Sequence, residues 1–540
     1  MKKIILILLL LSILLRIGGL GDALYQDESI WGYTIRDFSS YEDSTKFIPH
    51  PPLAIWMFRL INAPFEVNEF SMRLVPFLFG VLNIFLVYRL GKEFFGKKQA
   101  TIAALLMGFS FWHYVASLQV DMEGSILTCL FIVTFWAYLK YTKTNDNKWL
   151  MYTALLFTVA MFTKITSLLI LVIIGIHSLI VRKDFKKSVK EVFKIGILGI
   201  ALFGLFYLGL MSFQPGIHEN VFGHASDAVY SGGSIFSLLP IVYFVLWGTA
   251  LYVFLLLYSF FRYKKEYLFY YIWIILPIVF YFFVGRSFIA TYDRYLMITI
   301  PALALLGGNV ISEFSFEKKD YYLGALLLGL SFIGSLVLNG FGERVVHNIG
   351  SYFSMVMGLQ WNFLFPISSS TGPVIVINFM TIAIGFILSG ILILLSFRVK
   401  QYKNEFFIVF LGIALGLNIF MINEMISPIT QPDVSEVMYD MFEYIEDNQI
   451  QEPYVTNVFA SSFYLNWITR GVESDAIHYA VTDDQADFVI NHVVDQKGSI
   501  LFLDYPLLDK ESYIWEKMNS CELKHEFISK DIKMGYLFQC

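Results

Sequence analysis

Residues 71–117 read SMRLVPFLFGVLNIFLVYRLGKEFFGKKQATIAALLMGFSFWHYVAS. Two apolar runs, near 74–95 and 99–118, are each long enough to cross a hydrocarbon core, which takes about 17–25 residues. Arg89, Lys92, Lys97 and Lys98 gather at the turn between them. Cationic loops mark the cytoplasmic side of a membrane helix pair. The stretch therefore reads as two spans joined on the inner side.

The pattern repeats along the chain. Further apolar segments fall near 3–20, 124–141, 149–163, 166–181, 195–213, 235–261, 267–284, 295–312, 321–340, 373–397 and 406–424, giving about thirteen spans. With the N-terminus inside, every second loop is cationic; Lys140, Lys143, Lys186, Lys187, Lys264 and Lys318 are among the inner residues. Before residue 425 the outer loops hold only Arg36, Lys46, Arg59, Arg73, Lys164, Arg286, Arg294 and Arg344. The N-terminal run could also be a signal peptide; an uncleaved first span is the reading preferred, and either delivers residue 27 to the outer side.

Composition agrees. The 540 residues are 57% hydrophobic and 15% charged, with mean hydropathy +0.62, whereas soluble domains carry about 25% charged residues. A net charge of −5 gives no reason to expect a nucleic-acid partner. No P-loop or Gly-rich nucleotide fingerprint occurs, so an enzyme here would draw its energy from an activated substrate. The fold class is an α-helical polytopic membrane protein, residues 1–424, followed by an outer α/β domain, residues 425–540. There EPYVTNVF, SDAIHYA and GSILFLDYP read as strands, and DVSEVMYDMFEYIEDN, DDQADFVINHVVDQ and KESYIWEKMNS as amphipathic helices. Cys521 and Cys540 lie in this domain; they are read as unpaired thiols, with a disulfide as the alternative.

Ionisable residues cluster on the outer face. The first outer loop, 21–73, contains ALYQDESIWGY with Asp27 and Glu28, then His50 before PPLAIWMFRLINAPF, which reads as an interfacial helix with Pro51 and Pro52 at its start. Arg73 follows at the mouth of the second span. The next outer turn carries Asp121 and Glu123, Lys164 marks an outer helix junction, and GRSFIATYDRYLM brings Arg286, Tyr292, Asp293 and Arg294. Such groups at the hydrocarbon edge mark a site when they face a cavity; otherwise Arg and Lys snorkel to headgroups. For His50 the plain reading is a hydrogen bond at the helix start.

In this order and spacing, ALYQDESIWGY, HPPLAIWMFRLI, the 71–117 stretch, QVDMEGSILTCLFIVTFWAYL and YDRYLMITIPALALLGG resemble the dolichyl-phosphate-mannose–protein mannosyltransferase-like family. This is a branch of the GT-C membrane glycosyltransferases that also includes the lipid A aminoarabinose transferases. The likeness is strongest over residues 1–200 and thins beyond about 312. It implies an inverting transfer of a hexose or pentose from a polyprenyl- or dolichyl-phosphate-linked donor to a hydroxyl of protein, lipid or glycan, outside the cytoplasm. Asp27 would be the general base, with Glu28 orienting the acceptor or tuning its neighbour. Adjacent carboxylates disfavour joint ionisation, so Arg16, Arg36 or Arg73 would keep the base charged. Lys164, Arg286, Arg294 and Arg73 would bind the lipid phosphate; His50, Tyr292, Asp121 and Glu123 would line the acceptor and donor sides.

Many members carry an Arg shortly before the acid of the second outer turn, where this chain has Ser117-Leu118-Gln119-Val120-Asp121. No cofactor is required; a divalent cation on Asp121 and Glu123 is the alternative. The competing function is a flippase or transporter of lipid-linked glycans, but matched halves with a midplane site are not visible.

Overall fold

The computed structural model describes residues 2–24, 28, 31–32, 35, 50–65, 67–182, 184–213, 238–284, 292–341, 349–367, 375–450, 454–456, 498–503 and 513–540. Asp27, Arg36, Arg286 and the segments SDAIHYA and DDQADFVINHVVDQ lie outside these residues. The helices begin α1 (Lys2–Ile17), α2 (Leu53–Asn62), α3 (Glu69–Phe94), α4 (Lys97–Gly108), α5 (Phe111–Ala116), α6 (Ser125–Thr144), α7 (Asn147–Thr163) and α8 (Leu169–Arg182). They continue α9 (Phe185–Phe213), α10 (Leu239–Phe261), α11 (Leu268–Val284), α12 (Tyr292–Leu296), α13 (Ile300–Ser312), α14 (Lys318–Gly340), α15 (Ile349–Met357), α16 (Phe379–Arg398) and α17 (Lys403–Ile426).

Among the described residues nine helices are long and apolar enough to cross a membrane, which makes the chain an integral membrane protein. The expected thirteen spans all contain helix, but not all as one full-length piece. α1 and α8 are shorter than a full crossing. The run at 99–118 is two helices, α4 and α5, broken at Phe109–Ser110. Ser110 Oγ accepts the His113 amide at 3.2 Å, capping α5. The Phe111 amide donates to Asn418 Oδ1 at 3.0 Å, so side chains satisfy two of the backbone donors freed by the break inside the helix bundle. The run at 373–397 is helical only from Phe379; β1 (Leu364–Ile367) pairs antiparallel with β2 (Ile375–Asn378) ahead of it.

The main core lies between the helices, with Trp112, Trp247, Trp273, Tyr138 and Tyr252 fully buried. Apolar side chains such as Leu82, Phe85, Phe206, Leu330 and Ile333 face outward, as hydrocarbon demands. α3 starts with a capping box between Asn68 and Ser71. α2, the expected interfacial helix, packs on α3 and α7, and its Phe58 meets Trp31 with ring centroids 5.3 Å apart.

The C-terminal part has α18 (Val434–Asp447), β3 (Tyr454–Thr456), β4 (Ser499–Leu503), α19 (Tyr513–Met518), β5 (Glu522–Ser529) and β6 (Ile532–Gln539). Its sheet runs β3-β4-β6-β5, parallel only between β3 and β4. α18 lays Val437, Met438, Met441 and Phe442 on this sheet. The β5–β6 hairpin is absent from the sequence reading. It also corrects the expectation of unpaired thiols: Glu522 faces Gln539 in register, so Cys521 and Cys540 flank the hairpin's open end and are bonded.

α13 lies against α4 without room for a side chain at Gly308. A Cβ there would sit 2.7 Å from the Gln99 carbonyl oxygen and 2.9 Å from the Ala103 nitrogen. Both are backbone atoms, so a helix must move. Gly308→Ala is expected to destabilise the protein by about 1–3 kcal/mol, the usual range for overpacking, read as a lowered unfolding midpoint in detergent.

Candidate active site

The site is assembled at one end of the bundle, where α1 exits, α3 begins and the 117–124 turn links α5 to α6. The exit of α1 runs as a short strap, Gly21-Asp22-Ala23-Leu24. Arg73, in the first turns of α3, reaches across to it. Nε donates to the Asp22 carbonyl at 3.1 Å and Nη2 to the Ala23 carbonyl at 2.8 Å. Nη1 donates to the Leu118 carbonyl at 2.6 Å. The fork then takes the Glu28 carboxylate with Nη1–Oε1 at 3.0 Å and Nη2–Oε2 at 2.8 Å. Glu28 Oε1 also accepts the Val120 amide at 2.8 Å. Both side chains are fully buried.

An arginine has five N–H donors, and here five protein acceptors take them. That reassigns two residues. Arg73, expected to bind a lipid phosphate, has no donor left for one. Glu28, expected to orient an acceptor, has both oxygens engaged and no exposure. Arg73 instead pairs with Glu28 and neutralises its charge. Arg16 supplies nothing outward: its donors go to Ser117 Oγ, the Ser12 and Gly108 carbonyls, and His113 Nδ1.

One residue beyond Val120 begins a second set of charges. Asp121 Oδ2 accepts from Arg294 Nη1 at 2.8 Å. Glu123 Oε2 lies 3.5 Å from Arg294 Nε, and its Oε1 is in contact with Lys164 Nζ. Lys164 caps the C-terminal end of α7, where the helix dipole favours a cation. Lys164 Nζ and Arg294 Cζ both lie over the Tyr295 ring, 4.4 and 5.5 Å from its centroid. Tyr295 stacks on Tyr281 at 5.0 Å. All four charged groups are nearly buried; Arg294, the most open, keeps 11% side-chain exposure. The cation that the 117–124 turn lacks in sequence thus arrives from α12 and the end of α7.

Of the residues expected here, Glu28, Arg73, Asp121, Glu123, Lys164 and Arg294 are brought to one contiguous region. His50 is half-buried directly before Pro51 and α2. Tyr292 opens α12, with its side chain, like Asp27 and Arg286, outside the described residues. Sequence reasoning missed Tyr295, although it adjoins Arg294, and Asp22. Asp22 Oδ2 is buried without a hydrogen-bond partner. Burial pushes this carboxyl up to about 7; Arg73 pulls against the rise, and Asp433 and Glu28 add to it.

Residues 49–207 match the model of a family described as dolichyl-phosphate-mannose-protein mannosyltransferase. The match covers His50, Arg73, Asp121, Glu123 and Lys164 and begins after the acid pair. No curated protein matches the chain. Among solved structures, ArnT from Cupriavidus metallidurans bound to undecaprenyl phosphate is similar over 99% of this chain and 98% of its own, with a TM-score of 0.62 and 14% identity. Its apo state gives 0.61 and 13% over the same shares. The oligosaccharyltransferase of Archaeoglobus fulgidus tethered to an acceptor peptide gives 0.47 and 11%, over 99% of this chain and 74% of its own. The fold is that of the ArnT structures, in keeping with the polytopic helical fold that the sequence resemblance implied.

The Glu28–Arg73 pair predicts a non-additive double-mutant cycle. Arg73→Gln, which strands a buried carboxylate, is expected to cost about 3–5 kcal/mol of stability, as for other broken buried pairs. Adding Glu28→Gln should recover part of that loss, measured as unfolding midpoints of the purified single and double variants.

Proposed function

We propose that the protein is an inverting glycosyltransferase that moves a sugar from a polyprenyl-phosphate-linked donor to a hydroxyl acceptor on the outer side of the membrane. One observation carries the reading. Through the Val120 amide and the Arg73 fork, Glu28 is stitched to the very turn that presents Asp121 and Glu123 to Arg294 and Lys164. The acid segment and the cation cluster are therefore one site. The family match over residues 49–207 and the likeness to an ArnT structure solved with undecaprenyl phosphate support the same donor class.

In this reading Asp27 is the base. It takes the acceptor proton as the hydroxyl oxygen attacks the anomeric carbon, and the sugar–phosphate bond breaks with the electron pair leaving on the phosphate. Negative charge then grows on the lipid phosphate. Lys164 and Arg294 answer it, held in place beforehand by Asp121, Glu123 and the Tyr295 ring, so little reorganisation is needed at the transition state. Arg286 and Tyr292, on the approach to Arg294, complete the phosphate side, and His50 lines the acceptor side. The outward placement of the site follows from the cationic inner loops. The sugar is a hexose or pentose, and the acceptor belongs to protein, lipid or glycan.

In this reading Asp121 and Glu123 serve as charge partners that hold Arg294 and Lys164 in place.

Purified protein supplied with a labelled polyprenyl-phosphate sugar and acceptor is expected to release polyprenyl phosphate only when both are present. Asp27→Asn should lower the rate by about 10²–10⁴, the usual worth of a positioned base, with an unchanged unfolding midpoint. Near-normal turnover by that variant would remove Asp27 as the base. Lys164→Gln should lower kcat for the same donor by about 10² or more through the lost charge at the phosphate.

A further inference from the structure

The strap at residues 21–23 is held from two sides. The Arg73 grip on the carbonyls of Asp22 and Ala23 is one. The other comes from α18, more than four hundred residues away in the chain. Tyr439 Oη donates to the Gly21 carbonyl at 2.8 Å, and the Ala23 amide donates to Ser435 Oγ at 3.3 Å. The Ala23 methyl is fully buried in the C-terminal core beside Val434, Val437 and Met438. α18 is itself fixed at this end. Asp433 caps it through the Ser435 and Glu436 amides at 2.9 and 3.2 Å. The Asp433 amide donates to Ser529 Oγ at 3.0 Å, and Ser529 Oγ donates to Glu436 Oε2 at 2.9 Å. The membrane domain's first outer loop thus starts as part of the C-terminal domain's core.

We propose that α18 is a positioning element for the transfer reaction: Ser435 and Tyr439 hold the strap so that Glu28, which follows it, is set against the 117–124 turn, with Asp22 as the joint between the two grips. The inference rests on the reading of Asp27 and its surroundings as the reaction site. It assigns the C-terminal domain a part in the chemistry without any contact to substrate.

Asp22 also makes the hold depend on pH. Among the described residues, the charged and titratable groups that face it are Arg73, Asp433, Glu28 and, from α5, Tyr114. Arg73 alone attracts its carboxylate, and Arg73 is already committed to Glu28. With its folded value raised to about 7, Asp22 keeps its proton in the folded hold at pH values where the free chain has lost its own. The hold is therefore strongest at low pH and weakens as pH rises from the ordinary Asp range through about 7.

The test uses the full-length protein in nanodiscs with the labelled polyprenyl-phosphate sugar. Ser435→Ala and Tyr439→Phe are each expected to lower kcat about five- to ten-fold, as for one lost hydrogen bond, with KM for the donor within about two-fold. Amide exchange across residues 18–35 should speed up by a similar factor, and Ser435→Thr should restore both readouts. Asp22→Asn should flatten the decline of kcat as pH rises through about 7. Wild-type kcat together with wild-type exchange in the Ser435→Ala/Tyr439→Phe double variant would overturn the proposal, as would faster exchange with unchanged kcat. If the wild-type protein turns over no lipid-phosphate sugar, the enzymatic reading falls. Exchange at residues 18–35 then decides the positioning role alone: faster in the double variant upholds it, unchanged overturns it.

Discussion

The buried Glu28–Arg73 pair is the constraint on which the outer face depends. Taking a carboxylate and a guanidinium out of water costs several kcal/mol per ion, and attraction between them offsets this only when the remaining donors and lone pairs are also satisfied. That condition explains the geometry. Arg73 spends two N–H groups on Glu28 and three on the carbonyls of Asp22, Ala23 and Leu118, while Glu28 takes the Val120 amide. Each extra bond needed for solvation is also a tie between chain segments distant in sequence. The α1 exit, the start of α3 and the 117–124 turn are brought together because one guanidinium must be satisfied.

The Lys164–Glu123–Arg294–Asp121 cluster solves the same problem differently. Its two cations and two anions sum to zero, and Tyr295 lends its ring face to both cations. Arg294 and Lys164, however, keep a little exposure. A closed ion pair holds a fold together. A partly open cluster fits the phosphate-binding part given to Lys164 and Arg294 in the proposed function. The difference separates Arg73 from Lys164 and Arg294, although all three are interfacial cations in the sequence.

That distinction marks the limit of what the sequence could tell. The spans and the gathering of charge at one end were legible because they rest on side-chain type and period. The fate of Arg73 was not, since three of its five partners are backbone carbonyls, which leave no trace in residue identity. The break between α4 and α5 was hidden for a related reason: Asn418, more than three hundred residues on, satisfies the amide that the break frees. The β5–β6 hairpin escaped because Lys530 and Asp531 occupy its turn at φ 47° and 64°, where Asn-Gly or Asp-Gly would have announced it. The cysteine pairing follows from that hairpin's register and was lost with it. Asp22 was overlooked as a lone loop acid; only burial makes it unusual.

The acid pair itself shows how environment divides labour between like groups. In sequence the family resemblance gives the base to Asp27 and leaves Glu28 to orient the acceptor or tune its neighbour. In the fold Glu28 cannot be one: a base needs an oxygen within reach of the acceptor's proton, and both Glu28 oxygens lie buried against Arg73 and Val120. Its charge is neutralised by Arg73, and its side chain is bonded to the amide of Val120, on the turn that carries the cation cluster. An acid spent in this way is structural, and that is why the proposed function gives the proton-accepting part to the other member of the pair.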